Sequence, residues 1–123
     1  MKLSKAQQEV METAKQEIDF ARTHTLYEWA ENEKFRNGYD RIVSNYSRYG
    51  FKNAEEAMAY IEGEIRSYGE KYRRYYENER NGIVLTHCNS KTIAKLESLG
   101  LIEIIRDSNG ESYGLDTIKV LDY

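Results

Sequence analysis

The stretch Cys88–Ile105, CNSKTIAKLESLGLIEII, changes its period halfway along. Up to Leu99 the apolar residues Ile93, Leu96 and Leu99 recur three apart, which is one face of a helix. Asn89 or Ser90 supplies its N-cap, and Gly100 stands at the C′ position, where a left-handed residue ends a helix. "LIEIIRD" then reads as a strand, Asn109-Gly110 as a hairpin turn, and "YGLDTIKVLDY" as the returning strand. Upstream, "IVLTHC" after Gly82 is β-branched and apolar, and also reads as a strand. Residues 82–123 therefore predict a strand, a helix and a hairpin, or βαββ.

The rest of the chain reads as helix. Ser4 caps a segment to Arg22 whose Leu3, Ala6, Val10, Ala14, Ile18 and Ala21 share one face. Thr25 and Glu28 have capping-box spacing before a short helix from Leu26 to Phe35 that buries Leu26, Trp29 and Ala30. Asn37-Gly38 stops it, and Tyr39 to Tyr49 forms a further segment ending at Gly50. Asn53 and Glu56 open one long helix over 54–80, roughly 40 Å in length. Its apolar residues Met58, Ile61, Ile65, Tyr68, Tyr72 and Tyr75 follow a heptad spacing, the seam by which one helix packs along another. Gly63 and Gly69 weaken that helix, so packing must hold it.

At 123 residues the expectation is a single domain, with a helical part at 1–81 and the βαββ part at 82–123. No apolar run is long enough to span a bilayer, and no signal-peptide core opens the chain, so a cytoplasmic location with no membrane partner is expected. The one cysteine cannot form an internal disulfide. Net charge is −3, and residues 81–123 carry 4 Lys/Arg against 6 Asp/Glu. That weighs against broad wrapping by nucleic acid, which needs a basic face. Proline is absent and there are 11 tyrosines, residues suited to half-buried surfaces.

"TIAKLESLGLIEII" followed by a hairpin, with Thr92, Leu96, Leu99, Gly100, Leu101 and Ile102 as its matching residues, resembles the second half of a winged-helix domain. The opening "LSKAQQEVM" resembles the first helix of regulators of that kind, and the whole looks similar to short proteins encoded by phages and other mobile elements. The resemblance implies that the helix enters the major groove and the hairpin touches the backbone. It makes Ser90, Lys91, Thr92, Lys95 and Ser98 the reading face, with Arg106 on the wing. The chain departs from the pattern in one place, because "GIVLTHC" stands where a scaffold helix precedes the reader. Asp107 and Glu111 on the same wing repel phosphate. The other reading is a βαββ cap that packs on the long helix.

"EKYRRYYENER", 70–80, interleaves arginine with tyrosine. Tyr68, Tyr72, Arg73, Arg74, Tyr75, Tyr76 and Arg80 are candidates for a protein interface, where tyrosine and arginine are frequent anchors. The alternative is a solvated helix laced by Glu62–Arg66, Glu70–Arg74 and Arg73–Glu77 pairs. His87 and Cys88 point to opposite faces of a strand, and with His24 they are too few for a structural zinc site, so no metal or other cofactor is expected. Cys88 lacks an evident base, no glycine-rich phosphate loop occurs, and no carboxylate pair has a catalytic context. The reading adopted is an α+β, mostly helical, non-enzymatic DNA-binding regulator, dimeric through the 54–80 helix. Its rival is an inhibitor or adaptor that binds a host protein through an acidic, tyrosine-rich surface.

Overall fold

The computed structural model describes residues 2–36, 38–86, 90–105 and 116–123. His87, Cys88, Asn89 and the expected wing, with Arg106, Asp107, Asn109, Gly110 and Glu111, lie outside the described residues. The chain is mostly helical with a small antiparallel sheet: α1 (Lys5–Thr23), α2 (Leu26–Phe35), α3 (Tyr39–Ser44), a 3-10 turn (Tyr46–Tyr49), α4 (Ala54–Lys71), α5 (Arg73–Arg80), β1 (Ile83–Thr86), α6 (Ser90–Ser98), β2 (Ile102–Ile105) and β3 (Asp116–Val120). Contacts divide it into two compact units, one of residues 1–23 with 77–123 and one of residues 24–76. In the first unit α1 packs on the C-terminal strands and on α6.

In the first unit the sheet order is β1-β3-β2, every pairing antiparallel. The register sets Val84, Ile118 and Ile104 in one row, so alternation carries these, Ile102 and Val120 to one face. That face packs on Met11, Ala14 and Ile18 of α1 and on Ile93 and Leu96 of α6. Ile18, Ile93, Leu96, Ile102 and Ile118 are fully buried, which makes the core dry and aliphatic. The 3.6-residue stripe of α1 thus meets the 2-residue stripe of the sheet. Arg22 and Tyr123 fasten the helix to the end of the last strand. The Arg22 guanidinium donates to the main-chain oxygens of Arg80 and Tyr123, both at 2.9 Å, and the Tyr123 hydroxyl donates to Asp19 Oδ1 at 2.6 Å.

The second unit is helical. Thr25 N–H donates to Glu28 Oε1 at 2.9 Å and Glu28 N–H to Thr25 Oγ1 at 3.2 Å, completing the capping box of α2. Asn53 caps α4 through its side chain. The buried stripe of α4 is Ala57, Ile61, Ile65 and Gly69, one position away from the expected seam at both ends. Met58 is exposed, and Tyr68 is half-buried. Small residues lie inside because α2 crosses closely: a Cβ built on Gly69 would stand 3.3 Å from Ala30 Cβ and 3.4 Å from Leu26 Cγ. The apolar stripe reserved for a dimer is covered within a single chain, since Ile61 and Ile65 are fully buried there.

Two elements depart from the expected lengths. The long helix stops at Tyr72, whose φ of −109° and ψ of 21° leave helical geometry, and resumes as α5. Tyr72 N–H still donates to Tyr68 O, while Tyr75 and Tyr76 N–H both donate to Tyr72 O, so the break is bridged by hydrogen bonds. The 39–49 segment is split at Asn45, after which it tightens to 3-10 geometry.

Two glycines of α4 are expected to respond oppositely to substitution. Gly63 has open space around it, so Gly63→Ala should raise stability by about 0.5–1 kcal/mol. Gly69→Val should lower it by about 1–3 kcal/mol through overpacking against α2. Urea melts of both variants check the pair. Glu28 has its carboxyl held below the usual carboxylate range by the Thr25 N–H and hydroxyl. Its stabilising contribution is present above the unfolded value and lost as pH falls through the depressed folded value. Thr25→Ala should flatten that part of the acid melt and cost about 1 kcal/mol at neutral pH.

Candidate functional site

The outward side of α6 is set by what its inward side must bury. Ile93 and Leu96 enter the core, so Lys91, Ala94, Lys95 and Ser98 fall on the exposed side, with Thr92 half-buried. Ser90 is the first helical residue, and Asn89 lies outside the described residues. Three of the expected reading residues, Lys91, Lys95 and Ser98, therefore share one exposed face, with Ala94 at its margin. The sequence reading passed over Ala94 because it has no functional group, although its spacing from Lys91 and Ser98 was visible. The Ser98 hydroxyl donates to Lys95 O at 2.7 Å.

Glu97 is the acidic residue of this helix, and its carboxylate is engaged. Ile104 N–H of β2 donates to Glu97 Oε2 at 2.9 Å. The bond ties α6 to β2 and draws the negative charge toward the sheet. The end of the helix is equally determined. Gly100 N–H donates to Glu97 O, Leu101 N–H to Leu96 O, and Gly100 has φ of 76°. That pair of bonds is a Schellman closure, and it sends the chain directly into β2. No scaffold helix fits before α6, because β1 ends at Thr86 and α6 begins at Ser90. α1 braces α6 instead, through Met11, Ala14 and Ile18 in the shared core.

The tyrosine candidates form an aromatic chain in the second unit. Ring centroids lie 6.2 Å apart for Trp29–Tyr68, 4.5 Å for Tyr68–Tyr72 and 5.8 Å for Tyr72–Tyr75. Tyr68, Tyr72 and Tyr75 are half-buried, Arg73 and Arg74 exposed. The Arg74 guanidinium lies 5.2 Å over Tyr75, and Arg73 pairs with Glu70 at 2.7 Å. Arg80, an exposed member of the candidate set, belongs to the other unit. Tyr76 is a correction. It is buried, its ring 5.6 Å from Trp29 and its hydroxyl donating to His24 O at 2.6 Å, so it serves the core and offers nothing to a partner.

The large apolar side chains exposed in this unit are Tyr49, Tyr60 and Met58, the last of them a residue of the expected heptad seam. Tyr60 stacks on Phe51, with centroids 5.3 Å apart. On the same unit Tyr27 and Tyr39 have their hydroxyl pKa values raised, first by burial and then by the carboxylates of Glu62 and Glu31. Among the described residues no His, Cys, Asp and Glu cluster could hold a metal ion, and no helix is long and apolar enough to cross a membrane. No protein-family model, curated protein or solved structure matches the chain.

The inward role of Tyr76 has a direct check in chemical denaturation. Tyr76→Phe should lose about 1 kcal/mol with its hydrogen bond. Tyr76→Ala should lose about 3 kcal/mol or more, and Tyr75→Ala much less.

Proposed function

We propose that the chain is a small non-enzymatic DNA-binding regulator of winged-helix type, resembling proteins of phages and other mobile elements, in which α6 enters the major groove. The observation that carries this reading is the outward face of α6. Lys91, Lys95 and Ser98 share that face, and the helix's acidic residue, Glu97, is bonded to β2. Lysines supply phosphate or guanine contacts, and serine hydroxyls can bond base edges or phosphates. The order helix, strand, helix, strand, strand in the first unit, with α1 bracing the reader, supports the same reading.

A second reading has its own observation. The exposed Tyr49, Met58 and Tyr60, together with the acidic Tyr27–Tyr39 surroundings, favour protein contact by the second unit, as an inhibitor or adaptor of a host protein would make.

Duplex DNA titration across a salt series distinguishes the two. Affinity should fall linearly on logarithmic axes, by about 0.9 for each phosphate neutralised. Lys91→Glu with Lys95→Glu should weaken binding at least tenfold and shallow the slope by about 2 if both lysines meet phosphate. No DNA binding even at low salt would sink the regulator reading and favour protein contact by the second unit.

A further inference from the structure

Residues 68–76, YGEKYRRYY, carry three cations and one carboxylate in a chain whose net charge is −3. Arg73 engages that carboxylate, donating to the two oxygens of Glu70 at 2.7 and 3.3 Å. The rings of Tyr68, Tyr72 and Tyr75 follow one another along the same stretch, half-buried, with centroids 4.5 and 5.8 Å apart. Each ring has a cation beside it. Lys34 Nζ lies 5.8 Å from the Tyr68 centroid, Lys71 Nζ 5.4 Å from that of Tyr72, and the Arg74 guanidinium 5.2 Å from that of Tyr75. All three cations are exposed, and Lys34 and Lys71 form no ion pair among the described residues. A cation–π contact at an exposed site is weak, so the ammonium can leave the ring for a better anion.

Three ring-and-cation pairs in a row match the repeat of a nucleic-acid strand, in which each unit is a flat base with a phosphate. We propose that the Tyr68–Tyr72–Tyr75 ridge binds single-stranded nucleic acid without preference for sequence. Bases stack on the rings while Lys34, Lys71 and Arg74 meet the phosphates. The spacing selects a single strand over a duplex. Phosphates along one strand of a duplex advance by about 3.4 Å, less than either ring separation, and paired bases keep their faces inside the stack. An acidic protein segment would satisfy the cations but leave the rings without flat partners. The site lies wholly within residues 24–76 and shares no residue with α6, so it is independent of the duplex reading proposed for that helix.

The test uses the full chain and fluorescein-labelled oligothymidylate and oligouridylate of about twelve nucleotides, within the usual site size of such proteins. Fluorescence anisotropy at low and physiological salt reads binding, with inorganic polyphosphate and polyglutamate as unlabelled competitors. At least one strand should bind at low salt and weaken as salt rises, and the tighter of the two tells DNA from RNA. Lys34→Glu with Lys71→Glu should weaken binding at least tenfold. Tyr75→Ala should weaken it at least fivefold, as the loss of one stacked base would, and Tyr75→Phe should bind like the native chain. Lys91→Glu with Lys95→Glu should leave strand binding unchanged. Circular dichroism checks folding, and if Tyr75→Ala does not fold, the lysine pair decides. The proposal is overturned if neither strand binds at low salt, or if either folded ridge variant binds as tightly as the native chain. It is overturned equally if Tyr75→Phe binds as weakly as Tyr75→Ala, or if the α6 variant loses strand binding. Competition by polyphosphate or polyglutamate as strong as by unlabelled strand would make the ridge a general anion site or give it to an acidic partner, and overturn it too.

Discussion

The first unit depends on β3 lying in the middle of its sheet. β1 and β2 do not touch, so neither has a ladder until Asp116–Val120 is inserted between them. Ile118, the centre of that strand, is fully buried, with α1 from the opposite end of the sequence and α6 on the same core. The Tyr123 hydroxyl on Asp19 and the Arg22 guanidinium on the Tyr123 main-chain oxygen hold the end of that strand against the end of α1. Everything that gives α6 a fixed direction follows. Its two inward residues need a completed sheet to press on, and only then do Lys91 and Lys95 acquire a common outward face.

Burial and polarity are divided with some economy in α6. A nine-residue helix has little intrinsic stability and must be held by tertiary contacts. The Schellman closure at Gly100 and the Glu97 carboxylate on Ile104 N–H each bind its C-terminal turn, one through backbone and one through a side chain. The latter also ties an acidic side chain to β2 and occupies an outward N–H of that strand. One hydrogen bond thus serves both the helix and the strand. Ion pairing alone on this surface would contribute little, being solvent-exposed.

The parts legible in the sequence were those governed by local chemistry. The capping box at Thr25, the side-chain cap at Asn53, the α2 limits, the strand–helix–strand order after Gly82 and the role of Gly100 all lie in short-range rules. The stripe of α1 was equally plain, since Ala14, Ile18 and Ala21 recur at helical spacing. What could not be read was set by neighbours. Residues 70–73 contain neither proline nor glycine, so nothing local announces the break at Tyr72. The α4 seam was placed on large residues, yet α2 comes so close that Ala57 and Gly69 lie inside and Met58 outside. Tyr76 and Tyr75 are chemically identical, and only the depth of Trp29 and the reach of His24 O separate core from surface. Of the candidate reading face, the lysines were legible, while the diversion of Glu97 required knowing where β2 runs.

The bond from the Tyr76 hydroxyl to His24 O joins the two ends of the second unit, because those residues are its first and last. A segment whose ends meet can be carried inside another sequence without stretching its host. In the first unit the matching condition holds, since Arg22, one residue before the interruption, bonds the main chain at Arg80, soon after it. Residues 24–76 thus have the topology of an insertion, a cassette that could be exchanged or excised at one small gap, as is usual where domains are nested. The two units are then free to change at different rates, one under the demands of its sheet and the other under those of whatever its tyrosines meet.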